Sequence, residues 1–349
     1  MPPKEEYLRY LDGIWEREYL TNNGPLVRKL EKELKATLDV ASQVSFVSNG
    51  TIALQIAIKA LGLKGEVITT PFSYVATTSS LVWEGCKPVF VDIDPGTLNM
   101  DPARIEEAIT EETTGILATH VFGNPCDIDA IQAIADKHDL KVIYDAAHCF
   151  GTTYKGRSVF DFGDISTASF HATKLFHTVE GGAVFTKDEA WHKRMQYMRN
   201  FGHAGAENFN GVGINGKNSE LHAAMGLVNL NHVERILKSR KEQCRLYNEL
   251  LTDLPLRTIE VQQESEWNCS YYPVIFEDET AALRVKASLE KKKIYPRRYF
   301  YPSLETLDYV TPADVEISKD ISKRILCLPL YVELTDDEIG RICRLLKKL

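Results

Sequence analysis

The sequence predicts an α/β protein whose large main unit is followed by a smaller α+β unit. The 349 residues are 44% hydrophobic and 26% charged, which suffices for one large domain and a smaller one. Between residues 44 and about 186, short β-rich runs alternate with helical patterns. This alternation is typical of a sheet that is covered by helices on both faces.

Seven short runs predict the strands of the main sheet. They are residues 44–47, 66–69, 88–92, 116–122, 141–144, 166–169 and 183–186. Between them, Asp101 followed by Pro102 predicts the start of a helix. Asp127 predicts the cap of another helix, which carries Ile128, Ile131 and Ile134 on one face.

A glycine- and asparagine-rich stretch, residues 202–217, predicts an irregular connection. A long helical pattern follows from Glu220, and then a strand at 271–276, a helix around 279–291 and an amphipathic helix from Asp336. We therefore predict a large domain in residues 1–215, and an interface helix with a small domain in residues 216–349.

Composition and charge argue against several classes of protein. The net charge of −8 argues against binding to nucleic acid, which usually requires a basic face. No apolar run reaches the roughly 18 to 20 residues that a membrane span requires. Seven scattered cysteines without a C-x-x-C spacing favour neither a disulfide framework nor a zinc site. We expect a cytoplasmic protein that binds no metal.

Lys174 is the first residue with a chemical pattern around it. It follows a predicted strand that ends in small hydroxyl residues, and a glycine pair at 181–182 leads into the next strand. A lysine that is partly desolvated at a strand end has a lowered pKa, so its neutral amine becomes available as a nucleophile. A solvated surface lysine remains the alternative interpretation.

Asp145 closes an apolar strand, where the crevice at the carboxyl end of a sheet binds ligands. Its carboxylate could keep the ring nitrogen of a heterocyclic cofactor protonated, or it could cap the following helix. His148 lies three residues later, on the same side of a first helical turn, so it could contact the same ring.

A phosphate site is predicted where the strand at 44–47 leads into a helix through Gly50 and Thr51. Helix N-termini present free N–H groups and the positive end of a dipole to an anion. Tyr74 could stack on a planar heterocycle or could belong to the core.

Taken together, these segments resemble the sugar aminotransferases of the DegT/DnrJ/EryC1/StrS family. The matching blocks keep their order over nearly the whole chain: residues 48–54, PVFVDIDP at 88–95, HVFGNPCDID at 120–129, IYDAAHCFG at 143–151, SFHATK with EGG at 169–182, and LCLPLY near the end. The resemblance implies fold type I of the pyridoxal 5'-phosphate (PLP) enzymes, a mixed and mostly parallel sheet sandwiched by helices.

The resemblance also implies roles for single residues. Lys174 would hold PLP as a Schiff base, Asp145 would pair with the pyridine nitrogen, and His148 would lie near the ring hydroxyl. Gly50, Thr51 and Ser169 would hold the phosphate, and Tyr74 would cover the ring. The segment around Asn215 looks like the one that crosses a homodimer interface, so that Asn215 would reach the partner's phosphate.

Three stretches, at residues 15–25, 169–182 and 294–304, look most like family members that aminate C4 of dTDP-4-keto-6-deoxy-D-glucose with L-glutamate, for O-antigen or another glycan. A C3 or C4 keto-sugar that carries GDP, UDP or dTDP is the alternative substrate. Arg297 and Arg298 could bind the diphosphate, or they could lie in a solvated loop. Asn22 and Asn23 are further candidates for the substrate site.

The sequence also bears on three other functions. Residues 211–216 match G-x-G-x-x-G, but no apolar strand precedes them and no acidic residue ends a second strand, which argues against an NAD-dependent oxidoreductase. Sugar dehydratases of the same scaffold carry histidine at the position of Lys174. A PLP-binding sensor without catalysis is compatible with the sequence.

A few positions depart from the commoner family pattern. Asn49 precedes Gly50 where serine is usual, His148 stands where glutamine is frequent, and residues 216–217 replace an aromatic-arginine pair. These departures leave the subgroup and the phosphate contacts open.

Overall fold

A computed structural model describes residues 1–348. Its helices are α1 Lys4–Arg17, α2 Pro25–Thr37, α3 Gly50–Leu61, α4 Val75–Trp83, α5 Ile128–His138, α6 Glu189–Met198, α7 Glu220–Leu230, α8 Val233–Leu251, α9 Glu279–Glu290, α10 Glu316–Arg324 and α11 Asp336–Leu346. Its strands are β1 Gln43–Val47, β2 Glu66–Thr69, β3 Lys87–Phe90, β4 Thr113–Thr119, β5 Lys141–Asp145, β6 Thr153–Tyr154, β7 Arg157–Ser158, β8 Ile165–Ser169, β9 Gly182–Thr186, β10 Ser265–Glu266, β11 Tyr272–Ile275 and β12 Ile325–Leu328.

The main sheet has seven strands in the order β1-β9-β8-β5-β4-β2-β3. Strand β9 is antiparallel to both of its neighbours, and the pairs from β8 to β3 are all parallel. Six strands therefore point the same way, and their carboxyl ends meet at one edge. Asp145 at the end of β5 lies opposite Thr119 of β4 and Thr167 of β8.

Alternation along the strands divides the core of this sheet into two layers, because successive side chains point to opposite faces. Val142 and Tyr144 pack in the layer that includes α2 and α7, whereas Ile143 between them packs in the layer that includes α3. Helices thus cover both faces, as the sequence predicts.

A second core lies in the C-terminal part of the chain. Strands β11 and β12 pair antiparallel, and α8, α9 and α11 pack around them. Helix α8 joins the two cores, because its Val233 packs in the first and its Tyr247 and Leu251 pack in the second. Helix α7 packs in the first core although it follows residue 215, and the division at residues 215 and 216 stays a prediction.

Two of the predicted elements differ from the structure. Asp101 does accept a hydrogen bond from Ala103 N at 3.0 Å, but only two 3-10 turns follow, at Pro102–Arg104 and Glu106–Ala108. The predicted helix was wrong because the chain becomes extended at Ile109 to reach β4. The long helical pattern from Glu220 is divided into α7 and α8 at residues 231–232.

The boundaries of two strands also differ. Strand β4 begins and ends earlier than the predicted run at 116–122, whose last residues form the turn Val121–Gly123. Strand β3 ends at Phe90, two residues before the predicted limit. Within residues 1–348, no helix combines the length and the apolarity needed to cross a membrane.

Candidate active site

A cavity of about 580 Å³ lies at the edge where the parallel strands end. It collects residues that are far apart in the sequence, because β1, β8, β5 and β4 all deliver their carboxyl ends there. Eight of the predicted site residues line it: Gly50, Thr51, Tyr74, Asp145, His148, Ser169, Lys174 and Arg297.

Lys174 lies on the turn that connects β8 to β9. Two buried aromatic rings, those of Phe170 and Phe176, pack edge to face at 5.0 Å and anchor this turn. Burial lowers the pKa of Lys174 to about 8, although the nearby Asp145 opposes the shift. An ordinary lysine has a pKa of about 10.4, so Lys174 carries far more neutral amine near neutral pH.

Asp145 is buried beside this amine and its carboxylate is held by two donors. Thr77 Oγ1 donates to Oδ2 at 2.7 Å, and Ala147 N donates to Oδ1 at 3.1 Å. Burial raises the pKa of Asp145, while the bonds from Thr77 and Ala147 and the charge of Lys174 act to lower it. The donors therefore stabilise the ionised form of a carboxyl group in a desolvated place.

The hydroxyl of Thr77 belongs to a chain of three hydroxyl groups, which we call the hydroxyl chain. Ser73 Oγ lies 2.7 Å from Thr77 Oγ1 and 3.0 Å from Thr119 Oγ1. All three side chains are buried. Since α4 supplies Thr77 and β4 supplies Thr119, the chain links two elements to the carboxylate of Asp145.

His148 is buried with neither ring nitrogen bonded to any group of the described residues. Its ring is nearly parallel to that of Phe300, with centroids 5.8 Å apart. Burial, followed by the charges of Lys174 and Arg297, lowers the pKa of His148 well below its usual range, which favours the neutral imidazole. Unpaired buried polar atoms are costly, and the His148 side chain lines the cavity, so a group bound there would be the source of the missing partner.

The N-terminus of α3 opens onto the same cavity. Asn49 caps the helix, because its Oδ1 accepts from Ile52 N at 2.8 Å. A Cβ on Gly50 would lie 2.9 Å from Ser169 Cβ, so only glycine permits this close approach without a shift. Gly50 and Thr51 occupy the first turn, whose N–H groups have no intrahelical acceptor.

Tyr74 and Arg297 lie on the open side of the cavity. Tyr74 is 55% exposed and immediately precedes α4, with its ring 6.2 Å from that of Tyr299. The backbone of Arg297 is bonded to Cys327 in both directions, at 3.0 and 2.8 Å, while its side chain is exposed. The guanidinium is therefore carried on a fixed backbone.

Four other candidates do not line this cavity. Arg298 donates to Glu279 Oε1 and to Lys323 O, so its guanidinium is bound within the protein. Asn23 Oδ1 accepts from Arg199 at 3.3 Å, and the neighbouring Asn22 is exposed. Asn215 Oδ1 accepts from Lys217 Nζ at 2.7 Å.

Several residues of the cavity wall were not among the residues predicted from the sequence. Thr119 ends β4 as Asp145 ends β5, and this shared position could have indicated it, whereas Thr167 lies two residues before the end of β8 and pairs with Asp145. Glu180 lies in the quoted glycine motif. Thr77 had no local signal, because its role depends on the pairing order of the strands.

Comparison of the sequence with models of known protein families identifies the family of this chain. The model of the DegT/DnrJ/EryC1/StrS aminotransferase family matches residues 3–347. The chain belongs to this family. The resemblance described from its motifs is thereby confirmed, and a member of an aminotransferase family is an enzyme.

Two curated relatives and one solved structure align with nearly the whole length of this chain. A dTDP-4-amino-4,6-dideoxy-D-glucose transaminase of Shigella dysenteriae is 45% identical, over 100% of this chain and 97% of the relative. One of Escherichia coli is 39% identical, over 99% and 96%. The crystal structure of DesI in the presence of its TDP-sugar product has a TM-score of 0.94 at 33% identity, covering 100% of this chain and 90% of DesI. The predicted fold is confirmed.

The DegT/DnrJ/EryC1/StrS aminotransferases depend on PLP, and the cavity fits this cofactor. PLP presents an aldehyde, a ring nitrogen, a ring hydroxyl and a phosphate. The cavity presents an amine of lowered pKa, a buried carboxylate, a histidine with unpaired nitrogens and a helix N-terminus. Among residues 1–348, no cluster of three or more potential metal ligands was found.

The substitution Thr77→Val tests the hydroxyl chain. It removes a hydrogen bond that favours the ionised form of Asp145, so the pKa of Asp145 rises further. The acid limb, which is the pH range in which PLP affinity falls as the pH is lowered, therefore moves to higher pH. A lost bond to a charged group corresponds to a shift of about one to two pH units. The measurement is a spectroscopic titration of the apoprotein with PLP across a pH series.

Thr78→Val is the matched control, since Thr78 Oγ1 is also buried on α4 but has no partner among the described residues. Thr78→Val is expected to leave the acid limb in place, and Thr77→Ser is expected to restore it. Equal displacement by both valine variants would contradict the role given to Thr77.

Proposed function

We propose that this enzyme transfers the amino group of L-glutamate to C4 of dTDP-4-keto-6-deoxy-D-glucose, for O-antigen or another glycan. The observation that carries the aminotransferase chemistry is the amine of Lys174, with its lowered pKa, beside the buried carboxylate of Asp145 in one cavity. The names of the two curated relatives support the choice of sugar.

When bound, PLP supplies an aldehyde that joins covalently to amines and a protonated ring that accepts electrons. Asp145 would keep the ring nitrogen protonated, and the bond from Thr77 favours the ionised form of Asp145. Gly50, Thr51 and Ser169 would hold the phosphate at the start of α3. His148 would lie near the ring hydroxyl and Tyr74 would cover the ring, and both line the cavity.

Lys174 Nζ moves the protons in this proposal. It takes a proton from the α-carbon of the donor in the first half-reaction and delivers one to C4 of the sugar in the second. A pKa of about 8 suits both roles, because the charged and neutral forms are both populated near neutral pH. Two separate half-reactions at one site predict ping-pong kinetics.

A transfer assay tests the function. The purified holoprotein is incubated with dTDP-, GDP- and UDP-linked keto-sugars and with a panel of amino donors, and products are identified by mass and NMR. We expect amination at C4 of the dTDP sugar with L-glutamate. Amination of a different sugar would overturn the substrate assignment, and cofactor binding without any transfer would favour a sensor.

Lys174→Ala is the control for the chemistry. Borohydride is expected to fix PLP to the peptide that contains Lys174 in the native protein and not in this variant. Turnover is expected to fall at least about 10²-fold, because the acid–base group is gone. PLP fixed to another side chain would contradict the proposed mechanism.

Arg297 is the proposed anchor for the diphosphate of the sugar nucleotide. It is exposed at the cavity, and among the described residues no carboxylate lies within ion-pair distance of it. Arg298 is not retained for this role, since Glu279 and the carbonyl of Lys323 hold its guanidinium. Asn22 and Asn23 stay predictions.

Arg297→Gln is expected to raise KM for the sugar nucleotide about tenfold or more, because a charged hydrogen bond to phosphate is lost. The value of kcat should change little if the contact is equal in the ground and transition states. Steady-state kinetics measure both constants. Arg298→Gln is the matched control, expected to lower the melting temperature and to leave KM unchanged. A reversed pattern would reject Arg297 as the anchor.

We also propose that two copies form a homodimer in which Asn215 reaches the partner's phosphate site. The support is a set of exposed apolar side chains between α6 and α7, just before Asn215. They are Phe201, Phe209, Val212 and Ile214. Exposed apolar side chains concentrated in one segment are typical of an interaction surface.

Sedimentation velocity tests the homodimer, and twice the chain mass is expected. Phe209→Asp should shift the protein toward monomer by placing a charge in the apolar interface. Leu283→Asp, at an exposed apolar position on α9, is the control and should not. A native protein that sediments as a monomer would contradict the proposal.

A cytoplasmic location is proposed as well. All seven cysteines are free thiols in the structure, as expected in a reducing compartment.

A further inference from the structure

A second cavity of about 310 Å³ lies in the C-terminal part of the chain, and no residue lines both cavities. Its wall comes from α8, from residues 258–269 and from the start of β11. Two cysteines, Cys244 and Cys269, line it together with Lys241 and Arg245. The proposed aminotransferase chemistry uses none of these four residues.

Cys244 and Cys269 line the same cavity because residues 269–272 run along α8. Arg240, one helical turn before Cys244, donates to Ser270 O at 2.8 Å, and Tyr247 stacks on Tyr272 with centroids 4.6 Å apart. The Cys244 thiol, together with Lys241 and Arg240, lowers the pKa of the Cys269 thiol, although burial opposes the shift. The same contact raises the pKa of Cys244.

Cys269 also sits between two residues that hold the backbone of the active site. Asn268 Nδ2 donates to His148 O at 2.7 Å and to Phe150 O at 3.0 Å. Ser270 Oγ donates to the same carbonyl of His148. The backbone of Cys269 itself has a φ of 52°, in the left-handed region that residues other than glycine rarely adopt.

We propose that Cys244 and Cys269 form an oxidisable dithiol, reached through the second cavity, whose disulfide alters cofactor binding by displacing His148. The oxidant is a low-molecular-weight disulfide. Accessible thiols with an electropositive environment are the reactive ones, whereas enclosed apolar thiols are inert. Cys244 and Cys269 are only 3% and 6% exposed, as the other cysteines are, but they line the second cavity beside the cations Lys241 and Arg245.

The reaction balances as two thiol–disulfide exchanges. The Cys269 thiolate attacks one sulfur of the oxidant, the oxidant's S–S bond breaks, and the first thiolate leaves. Cys244 then loses its proton and attacks the Cys269 sulfur, which releases the second thiolate. Two protein thiols are oxidised, one small disulfide is reduced to two thiols, and the leaving thiolates take up the two protons.

The displacement follows from geometry. A disulfide fixes its sulfurs about 2.05 Å apart, closer than two thiols in contact, so the segment 268–270 must move toward α8. Because Asn268 and Ser270 are both bonded to the carbonyl of His148, the movement reaches the first cavity. Nothing in this step depends on which sugar the enzyme uses.

The test treats the holoprotein with oxidised glutathione and measures the intact mass and the peptide map. We expect a loss of about 2 Da, with Cys244 linked to Cys269. Cys244→Ser is expected to trap glutathione on Cys269, and Cys269→Ser is expected to stay unmodified at both positions. Cys86→Ser, at a buried cysteine outside both cavities, should behave as the native chain. An unchanged mass, or oxidation elsewhere, would overturn the proposal.

The effect on the active site has its own readout. The affinity of the apoprotein for PLP, measured by absorbance, is expected to change about threefold or more on oxidation and to return after dithiothreitol. Cys244→Ala, which cannot form the disulfide, should show no change. A disulfide that forms without altering PLP affinity would reject the coupling to His148. Neither readout requires sugar turnover, so failure here is distinct from failure of the proposed function.

Discussion

The buried carboxylate of Asp145 is the constraint on which the site depends. An anion out of water is unstable unless donors and an opposite charge surround it. Thr77 and Ala147 provide the donors, and the half-buried Lys174 provides the charge. Burial pushes the pKa values of Asp145 and Lys174 toward each other, while their mutual attraction opposes the shift in both. Each group therefore limits how far the other departs from its charged form.

The main features of the fold were predictable because they depend on local patterns in the sequence. Alternating strands and helices predicted the layered α/β unit, and six parallel strands then bring Asp145, Ser169 and the start of α3 to one edge. Lys174 lies five residues after the end of β8, so its presence near that edge also follows from its place in the sequence. The strand ends that mark these residues in the sequence are also the points that the parallel sheet brings together.

Other features depend on contacts that no local pattern records. Thr77 meets Asp145 only because β4 lies between β2 and β5, an order that the sequence does not state. Arg298 is paired with Glu279, which lies nineteen positions away in the sequence. Because the sequence does not show this pairing, Arg297 and Arg298 looked equivalent, although only Arg297 lines the cavity. The turns after Asp101 are a second example. Asp101 does cap a helical turn, but no α-helix follows because the chain extends toward β4.

Because the backbone of Arg297 is paired with β12, a ligand bound in the cavity affects the stability of that strand. Leu326 and Leu328 of β12 pack in the second core, whereas Cys327 packs with Phe72 and Phe122. Arg297 is bonded to β12 at Cys327 in both directions. The only long basic side chain at the mouth of the cavity, within the part of the chain that the structure describes, is thus held by β12, whereas Lys174 follows β8 of the main sheet. A ligand that bridges the two cations links β12 to the main sheet, so its binding should protect the β11 and β12 amides from hydrogen exchange although they never touch it.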